Sequence, residues 1–249
     1  MSKVLTYDIE CIGVKGWTWG LYDQNVYHIE HYPHLLSIAY KWLDKKKVHC
    51  LSLPKYDLYK KDPHSDKVMA EEWWEILNEA DVVIGWNNKS FDDKMVNDML
   101  KRHKMPPPLP YYSVDLMRER KRVGRSYSNK LNDATDREKI KHDPDLFIKC
   151  DSGVMSAWNE LVKYNKRDVE LTEQNYLENL PWIKNHPALN VLDGIPNSCG
   201  KCGSKKFIRG AKYATTKINR YQYCRCSNCG DVVKVRLPEK LDKPDFVSV

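Results

Sequence analysis

Three short segments place carboxylates where they could hold a metal or steer a proton. Asp8-Ile9-Glu10 closes an apolar run that starts at Lys3. Side chains at i and i+2 of a strand share a face, so Asp8 and Glu10 point to one place. Adjacent carboxylates repel, and a hard divalent cation relieves that repulsion. The ordinary alternative is a solvated strand edge. Asp92 follows the loop Gly85-Trp86-Asn87-Asn88-Lys89-Ser90-Phe91 and opens a helical stretch, with Asp93 as a competing neighbour. An acid at a helix start is also favoured by the macrodipole alone. Tyr164 and Asp168 lie four residues apart in a long helical pattern, so they share a face and could meet one substrate, or could form a plain surface pair.

A second set of residues is sulfur-based. Cys199-Gly-Lys-Cys202-Gly and Cys226-Ser-Asn-Cys229-Gly are two Cys-x-x-Cys-Gly knuckles. Each offers two thiolates at a tight turn, and two such turns make a tetrahedral S₄ site for Zn²⁺. The glycine after each pair lets the turn close. A disulfide framework is the competing reading, but nothing else points to an oxidising compartment. Cys224 is a spare that could compete with Cys226. The spacing of Cys226 to Cys229 repeats the first knuckle and favours Cys226. Cys11, Cys50 and Cys150 read as ordinary reduced cysteines.

The elements that must position these groups follow from periodicity. Strands are expected over Lys3–Ile9, Trp17–Tyr22, Val26–Ile29, Leu35–Trp42, Lys47–Leu53 and Asp81–Gly85. Helices are expected over Val68–Ala80, Phe91–His103, Val114–Lys121, Asn129–Lys139 and Val154–Leu177. Strands first, then helix, strand and several helices make an α/β body, a mixed sheet flanked by helices. Phe207 to Tyr223 and Val232 to Leu237 read as strands of a small β unit around the cysteines. No internal repeat is visible.

Composition bounds the classes. The 249 residues allow one or two domains. With 41% hydrophobic and 30% charged residues, wholesale disorder is excluded. No run approaches the ~20 apolar residues of a membrane span, and the N-terminal segment lacks the apolar stretch of a signal peptide. The expectation is an intracellular protein, cytoplasmic or nucleoid-associated in a prokaryote or phage. The net charge of +7 is uneven. From Pro196 onward there are 12 basic and 4 acidic residues, against 29 basic and 30 acidic before it. A nearly neutral body carries a strongly basic tail, the charge expected for contact with a polyanion.

The joint order of Asp-x-Glu on a first strand, Asn-x-x-x-Phe-Asp after a later strand and Tyr-x-x-x-Asp on a late helix resembles the DEDD superfamily of 3′→5′ exonucleases. The tyrosine marks the DEDDy branch. The wording Gly-Trp-Asn-x-x-x-Phe-Asp is most similar to the proofreading domain of family B DNA polymerases and related stand-alone exonucleases. The resemblance covers about residues 1–180 and implies a ribonuclease H-like fold. It further implies two Mg²⁺ or Mn²⁺ ions held by Asp8, Glu10, Asp92 and Asp168, with Tyr164 orienting water. Asn87 and Phe91 would line the substrate cleft, though a loop cap and core packing account for them as well. The knuckles resemble a zinc ribbon over 198–238, with a linker at 181–197 and a tail at 239–249.

The expected activity is hydrolysis of phosphodiester bonds, with single-stranded DNA preferred. A 3′→5′ exoribonuclease and an inactive nucleic-acid-binding adaptor are the alternatives. A replication or repair protein is a further expected partner. Where relatives often carry a small hydroxyl residue after Asp-x-Glu, this chain has Cys11-Ile12. Arg118 and Arg122 belong to a basic run that could follow a phosphate backbone or could be a solvated helix face. Trp17, Trp19, Trp73 and Trp74 could stack on bases, with core packing favoured. His28, His31 and His34 recur every third residue, a spacing that builds no site outside a helix.

Overall fold

A computed structural model describes residues 1–135, 143, 145–216 and 219–237. The described chain falls into two compact units, one over Lys3–Tyr176 and one over Met1–Ser2 with Leu177–Val249.

The first unit begins with β1 (Val4–Ile12), β2 (Lys15–Trp17), β3 (His28–His31), β4 (His34–Trp42) and β5 (His49–Ser52). Then come α1 (Lys67–Glu79), β6 (Val82–Gly85), α2 (Asp92–Arg102), β7 (Tyr112–Asp115), α3 (Leu116–Val123), α4 (Leu146–Asp151) and α5 (Met155–Asn179). The sheet order is β5-β4-β1-β6-β7. β1 runs antiparallel to β4 and parallel to β6, and β6 runs parallel to β7, so the sheet is mixed. This is the expected α/β architecture.

The register assigns the two faces of the sheet. Asp8 pairs with Ala39 and Glu10 with Ser37, and these residues share one face. That face receives α5, because Asn165 bonds both Asp8 and Ser37. The opposite face of β1 carries Leu5, Tyr7 and Ile9. They join Met69, Trp73 and Leu77 of α1 in the apolar core. The Tyr7 and Trp73 rings lie 5.3 Å apart. Every third or fourth residue of α1 is therefore buried, which is why that amphipathic pattern forms a helix here. Helices on both faces explain why the first residues of β1 are all buried.

Three expectations for this unit change. The strand expected over Trp17–Tyr22 is instead Lys15–Trp17, and Asp23 takes a positive φ in the turn before β3. The register shifts between Lys15 and Gly16, leaving Glu30 of β3 without an opposite residue. The helix expected from Val114 begins at Leu116, because Tyr112–Asp115 is claimed as the edge strand β7. Asp115 then caps that helix, accepting from the Arg118 N–H at 3.1 Å. In place of a helix from Asn129, a short 3₁₀ turn spans Leu131–Ala134, and 136–139 lie outside the described residues.

The second unit holds a 3₁₀ turn at Leu180–Trp182, α6 (Leu189–Leu192) and the antiparallel strands β8 (Phe207–Thr215), β9 (Arg220–Cys226) and β10 (Val232–Arg236). β9 is central. The strand expected to run from Phe207 to Tyr223 is thus two strands joined by a turn. Lys217, Ile218 and the expected tail at 239–249 lie outside the described residues.

Candidate active site and metal centres

β1 presents Asp8 and Glu10 on the α5 face, and α5 carries Asp168 toward them. One carboxylate oxygen from each of the three lies within 4.8 Å of the others. A β-bulge between Glu10 and Cys11 shifts the register there. Bulges re-aim side chains in this way beside many active sites. Tyr164 is one helical turn before Asp168, and both are buried.

Asn165 is the residue that motif reasoning misses. It is fully buried, donates to Asp8 Oδ2 at 2.8 Å, and accepts from Ser37 Oγ at 2.9 Å. The carboxylate of Asp8 is thereby fixed by a side chain 157 residues away. The available signal was its adjacency to Tyr164 on a helix whose neighbouring faces both turn inward.

Asp92 and Asp93 point in different directions. Asp93 turns into the body, where Tyr7 Oη, Asn88 Nδ2 and Ser113 Oγ donate to it. Asp92 turns to β1 and accepts from the Ile9 N–H at 3.3 Å. It stands beside the triad without joining its tight group. Burial pushes the Asp92 carboxyl up to about 7, partly offset by backbone N–H donors and reinforced by Asp93 and Asp115. Burial, with Glu10, Asp92 and Asp8 nearby, pushes the Cys11 thiol up to about 11, so it is no thiolate at neutral pH.

The loop from Gly85 to Phe91 is tightly wound. A Cβ at Gly85 would meet Asn88 Cβ at 2.6 Å, so only glycine lets β6 turn here. Asn87 adopts φ +62°, with its N–H bonded to Asp115 Oδ1 at 3.2 Å. Phe91 is 46% exposed and is not a core residue. Arg118 donates to Ser90 Oγ at 2.9 Å and pairs with Asp115 at 3.3 Å. Arg122 pairs with Glu119 at 3.4 Å, and both guanidiniums stay about half exposed. Trp73 is buried, and Trp74 donates its indole N–H to the Pro106 carbonyl. Trp17 and Trp19 are not core residues: both are exposed, and Trp19 stacks on Tyr27 at 4.6 Å.

In the second unit the thiols of Cys199, Cys202, Cys226 and Cys229 lie within 4.8 Å of one another. This S₄ set could hold Zn²⁺. Gly203 and Gly230, at φ +69° and +80°, close the two knuckles with N–H bonds back to the Cys199 and Cys226 carbonyls. Cys224 is two residues before Cys226 on the same face of β9, a step of about 6.6 Å along the strand. Its thiol lies instead near the Gln222 carbonyl, so Cys226 is the cluster member. Burial raises the Cys226 thiol, but N–H donors from Cys229 and Asn228 and the neighbouring thiols outweigh it and bring it down to about 7. Arg220 stacks on Tyr213 at 3.8 Å. A register shift in β8 between Arg209 and Tyr213 adjoins a groove of about 460 Å³ whose lining includes Arg209, Lys212, Tyr223 and Arg225.

A third ligand-type group, made of His31, His64 and Asp151, also converges. Among the described residues no helix is long and apolar enough to cross a membrane. No protein-family model and no curated protein matches the chain. Among solved structures it is similar to the family B DNA polymerase from the hyperthermophilic archaeon Pyrobaculum calidifontis, at 14% identity and a TM-score of 0.48. The match covers 88% of this chain and 32% of the polymerase, so the chain spans about a third of its length.

Proposed function

We propose that the chain is a metal-dependent 3′→5′ exonuclease of the DEDDy type that prefers single-stranded DNA. The observation that carries this reading is the convergence of Asp8, Glu10 and Asp168, from strand and helix, with Tyr164 one turn away. The donor set is all carboxylate oxygen, which suits a hard cation such as Mg²⁺ or Mn²⁺. Two such ions, when bound, stabilise the attacking and leaving oxygens of an in-line phosphoryl displacement.

The chain's own residues then have distinct tasks. Asp8, Glu10 and Asp168 hold the ions, and Asn165 fixes the Asp8 carboxylate for that work. Asp92, held by the Ile9 N–H beside the triad, would serve a second ion. An unperturbed phenol has a pKa of about 10, so Tyr164 acts by orienting the attacking water. The exposed Phe91 ring stacks on a terminal base, and Asn87 holds the loop that presents it. Arg118 and Arg122 meet backbone phosphates with the donors their ion pairs leave over.

The nuclease domain spans 1–180, with a linker at 181–197, a zinc ribbon at 198–238 and a tail at 239–249. The ribbon holds Zn²⁺ through Cys199, Cys202, Cys226 and Cys229, and its basic strands with Tyr213 and Tyr223 hold the nucleic acid.

The test is digestion of 5′-labelled single-stranded DNA, duplex DNA and RNA with Mg²⁺, Mn²⁺ or chelator. The expected result is metal-dependent shortening from the 3′ end, fastest on single-stranded DNA. Shortening of RNA alone makes the chain an exoribonuclease. Binding with no mononucleotide release makes it an adaptor and overturns the enzymatic reading.

A further inference from the structure

The histidines that strand periodicity leaves without a role meet in the fold. His31 ends β3, His34 opens β4, His64 lies in the turn before α1, and Asp151 ends α4. The Nε2 atoms of His31 and His64 lie 3.3 and 3.1 Å from the same oxygen, Asp151 Oδ1. Their rings are stacked with centroids 4.6 Å apart. Lys15 Nζ is 3.7 Å from the other oxygen, Oδ2, which His31 Nε2 also approaches at 3.4 Å. One donor atom from each of His31, His64 and Asp151 lies within 4.8 Å of the others.

His34 adds a fourth imidazole, with its ring centroid 5.4 Å from that of His31 and 5.3 Å from that of His64. It is 3% exposed. Its Nδ1 faces the Tyr32 carbonyl at 3.2 Å, which places the proton on Nδ1 and the lone pair on Nε2. That Nε2 is buried with no hydrogen-bond partner, as is Nδ1 of His31. Buried polar atoms left unsatisfied in this way call for a partner such as an ion.

We propose that His31, His64 and Asp151 bind a borderline divalent transition cation of the Zn²⁺ class, with the buried His34 ring packed beside them. Two imidazoles and a carboxylate suit Zn²⁺, Co²⁺ or Ni²⁺, whereas Mg²⁺ prefers an all-oxygen set. The site shares no residue with the carboxylate triad or the cysteine cluster and does not rest on the nuclease reading. Its ligands come from three segments distant in sequence. An ion there clamps the root of the β2–β3 hairpin to the turn before α1 and to the end of α4. That hairpin displays the exposed Trp17, Trp19, Tyr22 and Tyr27, so the ion stiffens an aromatic loop.

The full chain, with its cysteine-bound zinc in place, is dialysed with excess Mg²⁺ to occupy the carboxylates and then titrated with Zn²⁺. The expected result is one Zn²⁺ per chain beyond the cysteine-bound ion, a rise in Tm, and protection of residues 13–33 from protease. His64→Gln and Asp151→Asn lose the extra equivalent and the protection while keeping the cysteine-bound zinc. His64 is largely exposed, so His64→Gln decides the matter if Asp151→Asn fails to fold. Absence of an extra equivalent in the wild-type chain overturns the proposal, as does equal uptake by the wild-type chain and His64→Gln.

Discussion

The two units of this chain are held by different physics. The unit over Lys3–Tyr176 has helices on both faces of its five-stranded sheet and buries Leu5, Ile38, Trp73, Ile84 and Leu161 almost completely. In the second unit, β8 and β10 contain no fully buried residue, and the buried residues of β9 are Cys224 and Cys226. The first excludes water with apolar area. The second has too little area for that, and its most buried strand residues are two cysteines, one of them in the S₄ set. The difference teaches where metal matters: in the body it should serve chemistry, and in the β unit it should serve folding.

The largest expected effect tests the second half of that contrast. Cys226→Ser should remove the zinc equivalent and with it folding free energy on the order of 10 kcal/mol. Zinc content and protease mapping would show residues 198–237 cleaved while the body's melting transition stays in place. Persistent protection of that segment without zinc would erase the contrast. Next, Asp8→Ala should lower the proposed nuclease rate at least ~10³-fold, about 4 kcal/mol of transition-state stabilisation. Its metal-free fold should persist with a loss of at most about 1–3 kcal/mol, from the buried Asn165 amide left without its acceptor and offset by relieved carboxylate repulsion; a collapse of the fold would make Asp8 structural.

Trp73→Ala should do the reverse and cost the body about 3–4 kcal/mol in denaturant melts. The zinc content of the β unit should be unchanged. Asn165→Ala should weaken metal-dependent activity by ~10–100-fold through the loosened Asp8 carboxylate. An unchanged dependence on Mg²⁺ concentration would remove that role. The smallest effect is expected from Cys224→Ser, a cost of about 1 kcal/mol for a buried hydroxyl with zinc stoichiometry intact. Loss of zinc in that variant would restore Cys224 as a ligand.

Much of the fold was legible because its signals are local. The apolar runs of β1 and β4, the 3.6-residue rhythm of α1 and α5, and the glycines at the knuckles each report on neighbours within a few residues. Three short polar segments were not legible for the same reason. β7 is an edge strand of four residues with little period, and it is a strand only because β6 lies beside it. β2 is shorter still and depends on its pairing with β3. The helix expected from Asn129 has only its 3₁₀ start, Leu131–Ala134, among the described residues. The exposure of Trp17 and Trp19 was misjudged because side-chain type says how much area there is to bury, not whether anything comes to cover it.

By itself the sequence determined which residues share a face within one element: Asp8 with Glu10, Tyr164 with Asp168, and the paired thiols of each knuckle. Only the tertiary structure decided which faces meet. It brought Asp168 of α5 to the end of β1 and set Asn165 against Asp8 across 157 residues. It turned Asp92 to β1 and Asp93 into the body, and it gathered His31, His64 and Asp151 from three distant segments. The physical reason is range: backbone geometry propagates for a few residues, whereas a site is closed by packing, which ignores distance along the chain.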